Sequence, residues 1–263
     1  MNILYYDCFS GISGDMNMAA MIDLGVDPQY LKAELDKLGL GAEFELKVSV
    51  CACGGIKGTQ VHVCQGSEPH HTQEHVVANS AHHGHPHAHR RNLAAIETII
   101  MSSGLQPEVK QTSLRIFGLI AQAEAKVHGK PVSEVHFHEV GATDSIVDIV
   151  GAAVCFHALR VDAVWASPLE LGSGFIQCAH GTMPVPAPAT AEILHGLPTT
   201  RGGTDHEATT PTGAAIIAAL ANRFTSTPAM STCKTGYGIG HRPSSRPNML
   251  RVHIASDDCP SHL

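Results

Sequence analysis

The stretch Asn2-Ile3-Leu4-Tyr5-Tyr6-Asp7-Cys8-Phe9-Ser10-Gly11-Ile12-Ser13-Gly14-Asp15 decides the fold class. Its first residues are aliphatic, β-branched and aromatic, which predicts a buried first strand, and the polar, glycine-bearing run after Asp7 predicts a tight turn. Met16 to Leu24 then reads as a helix, capped by Ser13 or Asp15 and stopped by Gly25. Pro28 opens a second helix that ends at Gly39. Glu43 to Cys53 alternates Phe44, Leu46, Val48 and Val50 with polar residues, and Thr59 to Cys64 repeats the pattern after Gly54-Gly55, so the two read as a hairpin-like pair.

Further on, helical patterning covers Asn92 to Ser103, Pro107 to His128, Asp144 to Leu159 and Pro211 to Phe224. Short strands are expected at 134 to 138, 162 to 166, 229 to 235 and 248 to 254. Gly172 to Pro188 carries Pro184, Pro186 and Pro188 and reads as an extended loop. The order is α/β, with a mixed α+β arrangement as the alternative, in a compact domain. Residues 1–65 form the first segment of the core and 92–255 the remainder. Between them, 66–91 has no periodicity and reads as a flexible insertion, and 256–263 is a tail.

A chain of 263 residues is long enough for one large domain or two small ones. Its formal charge of −7 provides no basic surface for a nucleic acid, and its longest apolar run, Ala214 to Ala221, falls far short of the roughly 18–20 residues of a membrane span. No secretory leader is legible at the N-terminus, which makes the cytoplasm the expected compartment. Eight cysteines without a C-x-x-C pair argue against a disulfide scaffold or a zinc ribbon. Histidine is the anomaly. There are 19, against 17 Lys and Arg together, and His70, His71, His75, His82, His83, His85, His87 and His89 fall within twenty residues. Many neutral imidazoles on a flexible chain make a weak reservoir for nickel, copper or zinc.

Several segments have the residue types for site chemistry. Between Asp7 and Asp15, a strand end followed by Ser10, Gly11, Ser13 and Gly14 could cradle a phosphate, with a cation offsetting the two flanking carboxylates. The plainer alternative is a turn in which Asp15 serves only as a cap. His136-Phe137-His138-Glu139 with Asp144 and Asp148 is the second segment. On a strand, His136 and His138 would face one ion, and Asp144 and Asp148 share one face of the next helix. That donor mixture suits zinc, nickel, manganese or iron without choosing among them. Thr210 and Thr212, around the helix start at Pro211, offer a further anion site, although capping is the commoner explanation of such a run. Gly236-Tyr237-Gly238-Ile239-Gly240 with Arg242 and Arg246 reads as a turn rather than an anion clamp.

Four long stretches resemble one family: Tyr6 to Met16, His136 to Gly151, Gly181 to Thr190 and Thr210 to Ala215. They look like the nickel-insertion proteins of the nickel-pincer cofactor pathway, which mature lactate racemase. The resemblance implies a cytoplasmic nickel chelatase of the lyase class. It inserts nickel into pyridinium bisthiocarboxylic acid mononucleotide and consumes CTP with manganese or magnesium. It further implies a homo-oligomer and a C-terminal domain, or longer product of the same gene, that binds CTP and that this chain lacks. On this resemblance, Asp7, Asp15, His136, His138, Asp144 and Asp148 are the metal candidates. His138 or Glu139 is the base that removes a ring proton. The competing function is a nickel store or metallochaperone without catalysis, for which the histidine tract alone would suffice. Metal-dependent hydrolysis would use the same ligands.

Overall fold

In a computed structural model, which describes residues 1–65, 91–135, 137, 142–178, 181–244 and 246–256, β1 (Asn2–Asp7) has Leu4 and Tyr6 fully buried and Ile3 and Tyr5 nearly so. A strand buried on both faces belongs inside a sheet. There follow α1 (Gly14–Asp23), α2 (Pro28–Asp36), β2 (Phe44–Cys53), β3 (Ile56–Gln65), α3 (Leu93–Ser102), α4 (Pro107–His128) and α5 (Thr143–Leu159). The second half comprises β4 (Ala163–Ala166), β5 (Leu169–Glu170), β6 (Phe175–Cys178), β7 (Gly181–Pro184), α6 (Pro188–Ile193), β8 (Thr199–Thr200), α7 (Pro211–Leu220), β9 (Arg223–Phe224), β10 (Thr232–Ile239) and β11 (Met249–Ser256).

The result is the expected mixed α/β fold. Among the described residues the main sheet has seven strands in the order β2-β3-β10-β11-β1-β4-β9. Strand β11 is antiparallel to both β1 and β10, whereas β4 runs parallel to β1 and β9 parallel to β4. Residues 1–65 and 92–255 therefore supply strands to one sheet. Helix α1 lies on β3 and β10 and touches α5 and α7, and α4 packs against α5, α6 and α7. No helix of the described residues is long and apolar enough to cross a membrane.

Local chemistry accounts for the elements read correctly. Helix α4 starts with proline at its first turn and ends at Gly129, whose φ of 61° terminates the helix in the left-handed region. The β2–β3 hairpin turns at Gly54 and Gly55, with φ of 58° and 81°. Arg91, which sequence reading left in the insertion, belongs to the core: it donates to both carboxylate oxygens of Glu43 at 2.7 Å and to Thr143 Oγ1 at 3.1 Å. Residues 66–90, and with them the histidines from His70 to His89, lie outside the described residues.

Several expectations change, among them the helix expected to Phe224, which ends at Leu220 and gives way to β9. Gly236 to Ile239 belongs to a strand and is no turn. A Cβ at Gly238 would stand 1.9 Å from the Met16 carbonyl oxygen, and one at Gly236 would stand 2.5 Å from that of Ala20, so these glycines let α1 lie directly on β10. The strand expected at 134 to 138 gives way, in its described part, to a single 3-10 turn at Val132–Glu134, and Phe137 is buried against Phe117 with ring centroids 6.3 Å apart. Within the supposed loop 172 to 188, β6 and β7 pair as a separate two-stranded ribbon, because proline is tolerated at the end of a strand that has no neighbour on its other side.

Candidate functional site

The turn between β1 and α1 is sewn to the start of α7. Gly11, with φ of 81°, donates its N–H to the Cys8 carbonyl (3.0 Å). The Ile12 N–H donates to the Ala208 carbonyl (3.0 Å), and the Thr210 N–H donates to the Ile12 carbonyl (3.1 Å). Thr210 caps α7 by accepting from the Gly213 N–H at 3.2 Å. The glycines of this turn do not leave room for a phosphate. A Cβ at Gly11 would stand 2.1 Å from the Ala208 carbonyl oxygen, and one at Gly14 would stand 2.5 Å from the Asp148 Cβ. The close approach these glycines permit is taken up by the chain itself. Ser10 and Thr212 are buried, so of the six proposed phosphate contacts only Ser13 and Thr210 line a cleft.

That cleft, of about 200 Å³, lies between Ser13 and Asp15 on one side and His206, Glu207, Thr210 and His241 on the others. The Asp15 carboxylate meets His241 Nε2 at 3.3 Å, and the same nitrogen lies 3.0 Å from the Val61 carbonyl oxygen. Burial pushes the Asp15 pKa up, but hydrogen bonds from His241, Ser13 and the Met16 N–H outweigh it and hold the carboxyl below its usual range. The Asp15 carboxylate in turn raises the His241 pKa, against the smaller effect of burial. His206 has Nδ1 on Asp205 (3.2 Å), while its Nε2 is shut off from solvent with no hydrogen-bond partner.

Asp148 stands behind Gly14, and its Oδ1 is likewise shut off from solvent without a partner. Burial first, then the charges of Asp15 and Asp144, push its pKa well above the usual carboxylate range. Asp15, Asp144 and Asp148 therefore share one electrostatic neighbourhood. The turn places them so. Among the described residues no group of three His, Cys, Asp or Glu could hold a metal ion alone. His136, His138 and Glu139, which the sequence placed in the same site, lie outside the described residues.

The pairing of Asp15 with His241 predicts a pH signature. A histidine whose folded pKa is raised contributes stability that is complete below its unfolded pKa and is lost as pH rises through the folded value. The melting midpoint of His241→Gln should therefore fall furthest below wild type at about pH 5.5 and converge on it as pH rises through the raised folded pKa of His241. A difference that does not vary with pH would refute the charged pair.

Asp7 does not join this group. It opens onto a second, larger cleft, where its carboxylate accepts from Arg251 Nε at 2.9 Å and from Arg251 Nη2. One cation between Asp7 and Asp15 is thus not the arrangement found: the buried turn from Cys8 to Ile12 separates them. Sequence reading missed His206 and His241. Each follows a segment that was singled out or precedes one, but only the pairing of β10 with β3 and of Ile12 with Thr209 brings them to Asp15.

The α/β fold thus lines one cleft with Asp15, Glu207, His206 and His241, residue types that ligate divalent metal ions in metal-handling proteins, without grouping three of them around one point. The chain belongs to the nickel insertion protein family, which it matches over residues 4–262. Its relatives include the pyridinium-3,5-bisthiocarboxylic acid mononucleotide nickel insertion proteins of Clostridium kluyveri (53% identity over 98% of this chain and 63% of the relative) and Clostridium acetobutylicum (52% over 98% and 65%). That of Akkermansia muciniphila is 51% identical over 98% of this chain and 61% of its own. The chain thus spans less than two thirds of the length of these relatives. No solved structure matches it.

Proposed function

We propose that this chain is the nickel-handling part of a chelatase that inserts nickel into pyridinium bisthiocarboxylic acid mononucleotide. The observation that carries the reading is the match to the nickel insertion family along nearly the whole chain, with relatives named for that reaction at about half identity. The cleft at the β1–α1 turn supports it. His136 and His138, together with Asp15, Asp144 and Asp148, hold the nickel ion that is the cargo. The tract from His70 to His89 is a weak reservoir that feeds it.

Insertion exchanges one bond for another: nickel takes the place of a proton on a ring carbon, while the two thiocarboxylate sulfurs, soft ligands, complete its grip. His138 or Glu139 receives that proton. No segment of the chain reads as a triphosphate loop of the G-x-x-x-x-G-K-[ST] kind. CTP with manganese or magnesium is therefore assigned to the length of the relatives that this chain does not span, and the cofactor's destination is lactate racemase.

The test supplies the purified chain with apo cofactor, nickel, CTP and manganese, with and without the remaining sequence of a relative in trans. Formation of the nickel cofactor is followed by absorbance. Product is expected only with both pieces, and His138→Ala or Asp144→Ala should abolish it together with one tight nickel site. Nickel taken up tightly by the wild type without any product from the two pieces would favour a nickel store instead.

A further inference from the structure

The larger cleft, on the other side of the β1–α1 turn, is lined by none of Asp15, Asp144 and Asp148. We propose that it binds the phosphomonoester of the mononucleotide, with Arg201 and Arg246 as the residues that hold it; the identity of the ligand rests on the function proposed above. Size separates the two clefts. Pockets for small organic ligands run to about 300–1,000 Å³. The cleft at Asp15, about 200 Å³, falls below that range, whereas this one, about 760 Å³, falls within it.

Its charges are arranged for an anion. Three guanidinium groups line it, those of Arg201, Arg246 and Arg251. Arg251 is committed to Asp7 and lies over the Phe9 ring, 5.4 Å from its centroid. The other two are exposed and hydrogen-bond only main-chain carbonyls, Arg201 that of Val185 and Arg246 that of Phe9 at a long 3.4 Å. Neither is ion-paired among the described residues, although the Glu170 carboxylate neighbours Arg246: the Cβ position of Gly203 is 2.3 Å from Arg246 Nη1 and 2.9 Å from Glu170 Oε2. Glu170, the second acid on the wall, is buried and already accepts from the Gly172 N–H (2.9 Å), the Gly203 N–H (2.9 Å) and Thr200 Oγ1 (2.8 Å). It anchors the loop from Thr200 to Gly203 that carries Arg201. Two exposed guanidinium forks that make no ion pair, on a braced wall, suit the bidentate geometry of a phosphate.

The test titrates the chain calorimetrically with nicotinic acid mononucleotide as probe, with the matching nucleoside, and with inorganic phosphate as competitor. The mononucleotide should bind, phosphate should displace it, and the nucleoside should bind at least about tenfold more weakly, the worth of one charge-assisted contact. Arg201→Gln and Arg246→Gln should each weaken the mononucleotide about tenfold, with Arg246→Lys recovering part of the loss. Gly203→Ala offers a test that removes no charge. Its Cβ would stand 2.3 Å from Arg246 Nη1 and 2.8 Å from Glu170 Cδ, displacing the guanidinium and the carboxylate that braces the loop of Arg201, so weakening through both arginines is expected. Tight nickel binding should be unchanged in all four variants. Equal binding of nucleoside and mononucleotide, wild-type affinity in both Gln variants, or no binding by the wild type would overturn the proposal. Failure of nickel insertion with the mononucleotide still bound would instead count against the function proposed above.

Discussion

Gly238→Ala is expected to destabilise the protein by about 3 kcal/mol, lowering its melting midpoint by roughly 6–12 °C. The cause is backbone against backbone. The added Cβ would stand 1.9 Å from the Met16 carbonyl oxygen and 2.7 Å from the Ala20 nitrogen, and no rotamer change relieves a clash with main-chain atoms. Either α1 lifts from β10 or the strand bends, and α1 carries Asp15. Nickel binding should weaken along with stability. Gly118→Ala is the matched control: it lies within α4 with nothing within 4 Å of its Cβ position, so the same change should be neutral or gain about 0.5–1 kcal/mol. A midpoint for Gly238→Ala within a degree or two of wild type would show that the helix does not rest on the strand as described.

Asp148→Asn should move stability and metal binding in opposite directions. Because the folded protein holds the Asp148 proton more tightly than the unfolded chain does, ionising this carboxyl costs stability as pH rises from the ordinary carboxylate range towards the raised folded value. Asparagine removes that cost. The variant should melt above wild type at neutral pH by the equivalent of about 1–2 kcal/mol, and the gain should vanish near pH 4. In the function proposed above, Asp148 gives up its proton when nickel arrives, so the variant should also lose the tight nickel site and the accompanying proton release. Melting curves across pH and titrations in two buffers of different ionisation enthalpy would measure both. An unchanged tight site in Asp148→Asn would remove this residue from the ligand set.

How far such features were legible depended on how local they are. Helix α4 could be read to its ends because Pro107 and Gly129 mark them in the sequence itself. Strand β10 was misread because Gly236 and Gly238 look like turn residues until α1 is known to lie across them. The same holds at the site. That Asp144 and Asp148 share a helix face, and that Asp15 sits at a helix start, was legible from spacing. His241 was not, because its partner Asp15 is 226 positions earlier in the chain and only the sheet order brings the two together. The glycines between Asp7 and Asp15 were legible as special, but not the reason for it: they make room for Ala208 and Asp148, and none for a ligand.

The place of β11 between β1 and β10 also bears on how the chain folds as it is synthesised. Strand β1 is made before both of its neighbours in the sheet: β4 begins at Ala163 and β11 at Met249, with Asn2 opposite Ser256. Contacts between such remote positions close large loops and form slowly. Until β11 leaves the ribosome, an apolar strand with four residues destined for burial keeps a bare edge. The nascent chain should therefore engage general chaperones through β1. Any truncation short of Met249 should yield an aggregating product, not a smaller working one.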